Sequence, residues 1–369
     1  MMIRHTASAV LLCVALVPHG FAQTEINLPV LVPITGFLSL EGTSQRNGAL
    51  LAIRNAPAGV KVTSEVTDTG VSPEGATTAL ERALSRGKVS AVAASMLGTQ
   101  MLAMLPVALE NKIPLTTVSG TAAITEKGNP YVFRFFPGDS VAKAAHVRYA
   151  IEELKKQRFA LIYQTTAYGQ SGRGHIVEQL KKAGLTVVME EALEPSVKDM
   201  SPVVGKVVAA KPDAILLHLH SGPTALIIKQ LAAAKLGLPV IAGSAMHQPP
   251  TAALLEPAEL KGVCAETNAS PVSGGTSEME QFLKQYRDQF KSEPDGFAVG
   301  QYDATMMVMA AAARGAKTPD EIQKALASTS YKGLAMTYKS DGRGNMAHSA
   351  VMICYDGTSR TPTVVKRYE

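Results

Sequence analysis

The chain has 369 residues, 46% of them apolar and 18% charged, with no Trp and a net charge of +5. At ~150 residues per domain this is a two-domain length with ample material for buried cores, and it excludes a largely disordered chain. The charge excess is too small and too evenly spread for a nucleic-acid surface, and no apolar run reaches the ~18–20 residues of a membrane-spanning helix.

Residues 1–22 form a separate unit. Arg4 and His5 precede an uncharged apolar stretch over 7–17, and Gly20-Phe21-Ala22 places small residues before a cut at Gln23. That is the pattern of a cleavable secretory signal peptide; the alternative is an N-terminal core helix. Beyond it, apolar runs predict strands over 26–34 and 60–66, with a helix over 43–55 between them. A helix over 73–86, a strand over 89–93, a helix over 100–110 and a strand over 115–118 follow. Pro73 and Gly87 mark the start and stop of one of these helices. The pattern then starts again. A strand over 133–136 leads into a helix over 141–156. Strands over 159–163, 186–191, 214–217 and 240–242 then alternate with helices over 171–183, 203–210 and 225–234. Such alternation predicts an α/β fold of two successive lobes, each with a parallel sheet between helices.

After a strand over 262–266 come helices over 278–291, 298–314 and 319–328, then strands near 334–338 and 350–354. These helices lack enough strands for a third sheet, so they are expected to return to the first lobe. The expected division is 23–137 plus 268–341 for the N-terminal lobe and 138–267 plus 342–369 for the C-terminal lobe. Several chain crossings would then form a hinge able to close on a ligand. Export permits a disulfide between Cys264 and Cys354; two buried free thiols remain the alternative.

The ordered motifs resemble those of type I periplasmic solute-binding proteins of ABC transporters, in the leucine/isoleucine/valine-binding branch. Pro33-Ile34-Thr35-Gly36 with Gly42 is similar to that family's opening loop, and Asp68-Thr69 before Ser72-Pro73-Glu74-Gly75-Ala76 to its next segment. Ala103-Met104-Leu105-Pro106, Ile113-Pro114, Phe133-Arg134, Tyr168-Gly169, Gln301-Tyr302-Asp303-Ala304 and Ser340-Asp341-Gly342-Arg343-Gly344 continue the series. The resemblance implies two Rossmann-like lobes, a periplasmic location, an inner-membrane ABC permease as partner, and a monomeric binder without cofactor, metal or catalysis.

It also implies site residues. Gly98 and Thr99 before one helix, with Ser119, Gly120 and Thr121 after the next strand, would clamp a ligand carboxylate with hydroxyls and helix N–H groups; ordinary helix capping is the competing reading. Gly98 stands where relatives carry Ser. Tyr168 would cover the ligand from the second lobe, His220 stands where relatives place another aromatic, and Phe297 would line the ligand's side chain. Phe37 and Leu40 are candidates for further apolar wall. At Ala245 and Met246 the amino-acid binders place an acid that pairs with the ligand's ammonium, and here no acid occurs from 243 until Glu256. An unpartnered buried ammonium is costly, so an aromatic or 2-oxo acid is favoured over a branched-chain or other apolar amino acid. His220 or His247 would then donate to the anion.

Competing chemistries are weaker. His218 and His220 share a strand face, but no acid or thiol follows nearby to complete a metal site. Gly169-Gln170-Ser171-Gly172-Arg173 breaks the G-x-S-x-G nucleophile elbow at its last position. A periplasmic ligand sensor built on the same fold is the remaining alternative of another class.

Overall fold

The structure, a computed structural model, describes residues 23–369; the expected signal peptide lies outside the described residues. In chain order the first half comprises β1 (Thr24–Asn27), β2 (Val30–Val32), α1 (Ser39–Arg54), β3 (Val60–Thr63), β4 (Val66–Asp68), α2 (Pro73–Ser85), β5 (Val92–Ala94), α3 (Gly98–Asn111), β6 (Leu115–Thr117), α4 (Ala123–Glu126) and β7 (Val132–Arg134). Five strands form a parallel sheet in the order β4-β2-β5-β6-β7. The inner strands β2, β5 and β6 are buried throughout, as expected of Val, Leu, Ala and Thr runs covered on both faces.

The predicted strands over 26–34 and 60–66 each divide in two. β1 pairs only with β3, while β2 pairs with β4 and β5. The division falls at Leu28-Pro29 in the first, but hydrogen bonds from the Leu28 N–H to the Thr63 carbonyl (2.8 Å) and from the Val30 N–H to the Glu65 carbonyl (2.9 Å) carry the same parallel register across it.

The second half comprises α5 (Asp139–Arg148), β8 (Phe159–Gln164), α6 (Ala167–Lys182), β9 (Val187–Leu193), α7 (Ser201–Ala210), β10 (Ala214–His218), α8 (Ser221–Ala233), β11 (Val240–Ala242), α9 (Pro249–Ala252) and β12 (Val263–Thr267). Its five parallel strands run β9-β8-β10-β11-β12, repeating the winding of the first sheet. α5 is shorter than the predicted helix over 141–156, because it widens into a π turn at Tyr149–Glu153.

The last segment contains α10 (Ser277–Phe290), α11 (Gly296–Ala313), α12 (Pro319–Ser328), the ribbon of β13 (Ser330–Lys332) and β14 (Thr337–Lys339), then β15 (Ala350–Cys354) and β16 (Thr363–Tyr368). α11 lies against α1. A Cβ on Gly48 would come within 2.2 Å of the Ala298 carbonyl oxygen, so the two helices approach at backbone distance. Ala304, Met307 and Val308 of α11 join Ala49, Val30 and Phe133 in one buried cluster. β15 and β16 extend the second sheet as antiparallel strands. β16 was not foreseen: five of its six residues are exposed, so its apolar pattern is faint.

Cys264 and Cys354 face each other across the β12–β15 pair and are joined in a disulfide, which resolves the alternative left open by the sequence.

Candidate ligand-binding site

In doubly wound sheets, ligands bind beyond the strand C-termini, where the winding reverses. Here the reversals lie between β2 and β5 in one sheet and between β8 and β10 in the other. Residues that follow these strands and their neighbours line a cavity at this position, where small-molecule sites of such sheets lie. Leu38, Met96, Val118 and Gly120 line it from the first sheet's loops, together with Glu41 in the first turn of α1. Tyr168, His220, Ser244 and Ala245 line it from the second, and Phe297 from α11.

The first-sheet wall is rigid. The Thr117 hydroxyl accepts the Ser119 N–H (3.1 Å) and donates to the Ser95 carbonyl (2.7 Å). The Gly120 carbonyl accepts the Asp139 N–H (2.7 Å). Nη1 of Arg134 donates to the carbonyls of Gly120 (3.0 Å) and Thr121 (2.7 Å), while its other nitrogens reach Thr125 and Asn345. Burial lowers the Arg134 guanidinium to about 10, so it is still cationic at neutral pH. Asp139 sits behind Gly120, its carboxyl pushed up to about 7 by burial, with Lys143 pulling it back. Within this fixed loop, the buried Ser119 Oγ and Thr121 Oγ1 have no hydrogen-bond partner. The loop's carbonyls are occupied and its hydroxyls are left available.

Gly98 opens α3, which has no side-chain N-cap, unlike α2, α6, α10, α11 and α12. A Cβ on Gly98 would fall 2.0 Å from Thr121 Oγ1. The glycine therefore makes room for the threonine hydroxyl, which occupies the space a side chain at 98 would need. Gly98→Ser is expected to displace Thr121, destabilising the fold by about 1–3 kcal/mol and weakening ligand binding; urea unfolding and calorimetry on the variant check both.

The second-sheet wall is aromatic. Tyr168 shares a hydrogen bond with Ser244 Oγ (3.2 Å), stacks on His220 (centroids 5.3 Å) and lies against His218 (3.8 Å). His220 Nε2 pairs with the Thr166 hydroxyl at 3.1 Å, and burial drops its pKa to about 3, so the ring is neutral. His218 Nε2 turns instead to the Tyr168 carbonyl (3.0 Å), so the two strand-end imidazoles engage different partners.

Of the residues expected at the site, Gly120, Tyr168, His220, Ala245 and Phe297 line the cavity. Phe37 packs on the His220 ring (5.2 Å), one layer back, and Leu38 takes the wall position. Leu40 and Thr99 are half-buried, Gly98, Ser119 and Thr121 are buried, and none of these five lines it; Ser119 and Thr121 flank the lining residue Gly120. Met246 is buried in the second lobe's core, its carbonyl accepting from the Tyr355 hydroxyl. His247 accepts the Gly296 N–H through Nε2 and stacks on Phe136 behind the cavity.

Glu41 is the residue sequence reasoning missed. The 243–256 stretch does lack an acid before Glu256, but the cavity receives one from the opposite wall. Glu41 is 2% exposed, and its Oε1 accepts both the Ser221 N–H (2.9 Å) and the Ser221 hydroxyl (2.6 Å). Burial raises its carboxyl above the ordinary value, and the Ser221 hydrogen bonds offset part of that rise. An acid in the first turn of α1 reads as a helix-dipole partner; its one-turn spacing from Leu38 was the available signal that it shares the inward face.

A family model described as periplasmic binding protein matches residues 25–355. Leu/Ile/Val-binding protein homolog 8 of Brucella abortus (strain 2308) is 26% identical over 325 residues, covering 83% of this chain and 80% of that protein. Among solved structures, a leucine binding protein LivK from Thermotoga maritima aligns with a TM-score of 0.85 at 22% identity, over 93% of this chain and 99% of that one. A solute binding protein of an ABC transporter from R. palustris, in complex with benzoate, aligns at 0.84 and 19%, over 93% and 96%. With its paired doubly wound sheets and this match across nearly the whole described chain, the protein belongs to the periplasmic binding protein family, in the type I fold of the leucine/isoleucine/valine-binding-protein group.

Proposed function

We propose that this chain is the substrate-binding component of an ABC importer: it captures a small organic carboxylate in the periplasm between its two lobes and delivers it to an inner-membrane permease. The observation that carries this reading is the pair of unpartnered hydroxyls, Ser119 Oγ and Thr121 Oγ1, buried at the end of β6 beside an uncapped helix. Buried polar atoms are ordinarily paired, and an anion reaching this loop from the cavity wall at Gly120, which lies between them, would satisfy both. Leu38, Met96, Val118 and Phe297 suit an apolar body on that anion. Closure of the two lobes excludes water and strengthens each polar contact, and a micromolar affinity, about −8 kcal/mol, needs only a few of them. A permease that recognises the closed form thereby reads occupancy. The chain is read as a binder and not as an enzyme.

Two ligand classes fit. The benzoate-bound relative supports a bare aromatic or 2-oxo acid. The leucine-binding relative and the acid at Glu41 support an apolar amino acid. A thermal-shift and calorimetric screen of ligand-stripped protein against leucine, isoleucine, valine, benzoate, 4-hydroxybenzoate and phenylpyruvate tests the common claim. A ligand at 100 times its Kd stabilises by about 2.7 kcal/mol, and Thr121→Val is expected to remove most of that response. Binding that survives Thr121→Val together with Ser119→Ala would remove the basis for the carboxylate reading.

A further inference from the structure

Beside the cavity a run of buried polar groups passes between the two lobes. Glu41 Oε1, on α1, accepts the Ser221 N–H (2.9 Å) and meets the Ser221 hydroxyl (2.6 Å) at the start of α8. Ser221 Oγ also meets Gln248 Oε1 (2.8 Å), and Gln248 Nε2 meets Asp295 Oδ2 (2.6 Å) at the start of α11. The run leaves the first lobe at Glu41 and returns to it at Asp295. α8 has no side-chain cap of its own, so Glu41 caps it from the opposite lobe.

With both acids ionised, the run is one proton short. Its three side-chain contacts, Glu41–Ser221, Ser221–Gln248 and Gln248–Asp295, each need a hydrogen between the two heavy atoms. A serine hydroxyl carries one, and the amide presents its NH2 to one side only. Turning the amide over moves the deficit from Glu41 to Asp295 and does not fill it. Full bonding of the closed arrangement therefore requires a proton on one of the two acids. Asp295 is the better placed anion: Oδ1 accepts from Ser44 Oγ (2.5 Å) and from the Ala298 N–H (2.9 Å), and Oδ2 takes the Gln248 amide. Glu41 Oε2 is buried without a partner, in a wall shared with Leu38, Met96, Val118 and Phe297. A neutral carboxyl is far cheaper to bury in such a wall than a carboxylate.

We propose that closing the empty lobes takes up one proton, held on Glu41, so that closure is favoured in acid and weakened in base. This regulation rests on the reading of the chain as a two-lobed binder that opens and closes, and not on which carboxylate it takes. Opening returns Glu41 to water, where its ordinary value is 4.5; in the closed form burial raises it, the Ser221 contacts offset part of the rise, and nearby Asp295 adds to it. A group raised in the closed form favours closure fully below its open-form value. That advantage is lost as the pH rises through the closed-form value, by at most about 10-fold per pH unit. Among the other groups facing the run, burial keeps His220 and His247 neutral, and His247 also accepts the Gly296 N–H. Burial likewise holds Tyr168 and Tyr286 un-ionised, and the lining residues include no Lys or Arg. Asp139, pushed up to about 7 behind Gly120, titrates in the same range and has to be separated from Glu41 by substitution.

The test is small-angle X-ray scattering from ligand-stripped wild type and Glu41→Gln, titrated from about pH 4.5 to about pH 8.5. The glutamine carries the missing hydrogen at every pH and keeps an acceptor for the Ser221 N–H. Wild type is expected to match the closed structure at the acid end and to open as the pH rises, its closed-to-open ratio falling at least about fivefold across the range. Glu41→Gln is expected to stay closed throughout. A wild type that does not respond to pH overturns the proposal. So does a Glu41→Gln protein that opens in step with wild type, an outcome that assigns the response to Asp139. Neither protein is given a ligand, so carboxylate binding stands or falls by its own screen. Should Glu41→Gln fail to fold, Ser221→Ala takes its place: it removes the hydroxyl that creates the demand, and the wild-type response is expected to fall by at least about half. An undiminished response in that variant overturns the proposal.

Discussion

Replacing both Cys264 and Cys354 with Ala is expected to destabilise the second lobe by about 4–5 kcal/mol. The bond joins residues 90 apart in sequence, and closing a loop of that size in the unfolded chain removes conformational entropy worth about 4.6 kcal/mol at 25 °C. The two residues sit directly opposite in β12 and β15, so the crosslink ties β15, and β16 beyond it, to the end of the five parallel strands. A fall in melting temperature of roughly 10 °C follows for a unit of this size. Guanidinium unfolding of the double variant, beside wild type with and without reductant, measures it. A change below about 1 kcal/mol would mean that β15 is held by its ladder and packing alone.

Lys143→Met is expected to cost about 3–5 kcal/mol at neutral pH, the usual penalty for stripping one partner from a buried pair. Lys143 and His146, on consecutive turns of α5, both bind the Glu266 carboxylate of β12, and all three side chains are at most 1% exposed. Burial pushes the Glu266 carboxyl up, but the Lys143 charge and then the His146 contact pull it further down, leaving it below its ordinary 4.5. A carboxyl depressed in the folded state contributes stability that is complete above its unfolded pKa and is lost as the pH falls through the folded one. The gap between wild type and Lys143→Met is therefore largest near neutrality and shrinks on acidification, and folded wild type keeps Glu266 ionised until the pH falls through its depressed value, below 4.5, where Lys143 is left unpaired as well. Urea titrations across that range follow it, and a gap that widens on acidification would refute the assignment.

The alternation of strand and helix was legible because each strand is a short apolar run and each helix carries its own punctuation, such as Ser72-Pro73 at α2 or Thr318-Pro319 at α12. β16 was not, because an edge strand facing solvent buries too little to leave an apolar pattern. The site divides in the same way. Tyr168, His220 and Gly120 stand directly after strands, where position in the chain dictates position in the cleft. Glu41 and Met96 escaped because their role depends on which face of α1 or which bend after β5 meets the opposite lobe, and that is set by packing between segments far apart in sequence. Glu41 in particular became visible only through Ser221, 180 residues away. The absence of an acid near Ala245 was read correctly as a fact of sequence, but a cavity wall is assembled from both lobes.

The packing of α11 on α1 has a bearing on how the polypeptide comes to be made. β2, β5, β6 and β7 and the helices between them are all translated by residue 134, yet the apolar face formed by Val30, Ala49 and Phe133 is covered by Ala304, Met307 and Val308. More than half of the remaining chain must therefore emerge before that face can be buried. Until then the apolar face of the early half has no cover from its own chain, and transiently exposed apolar surface of this kind is prone to aggregation. Completion of the first sheet's core thus waits on the late-arriving helix α11.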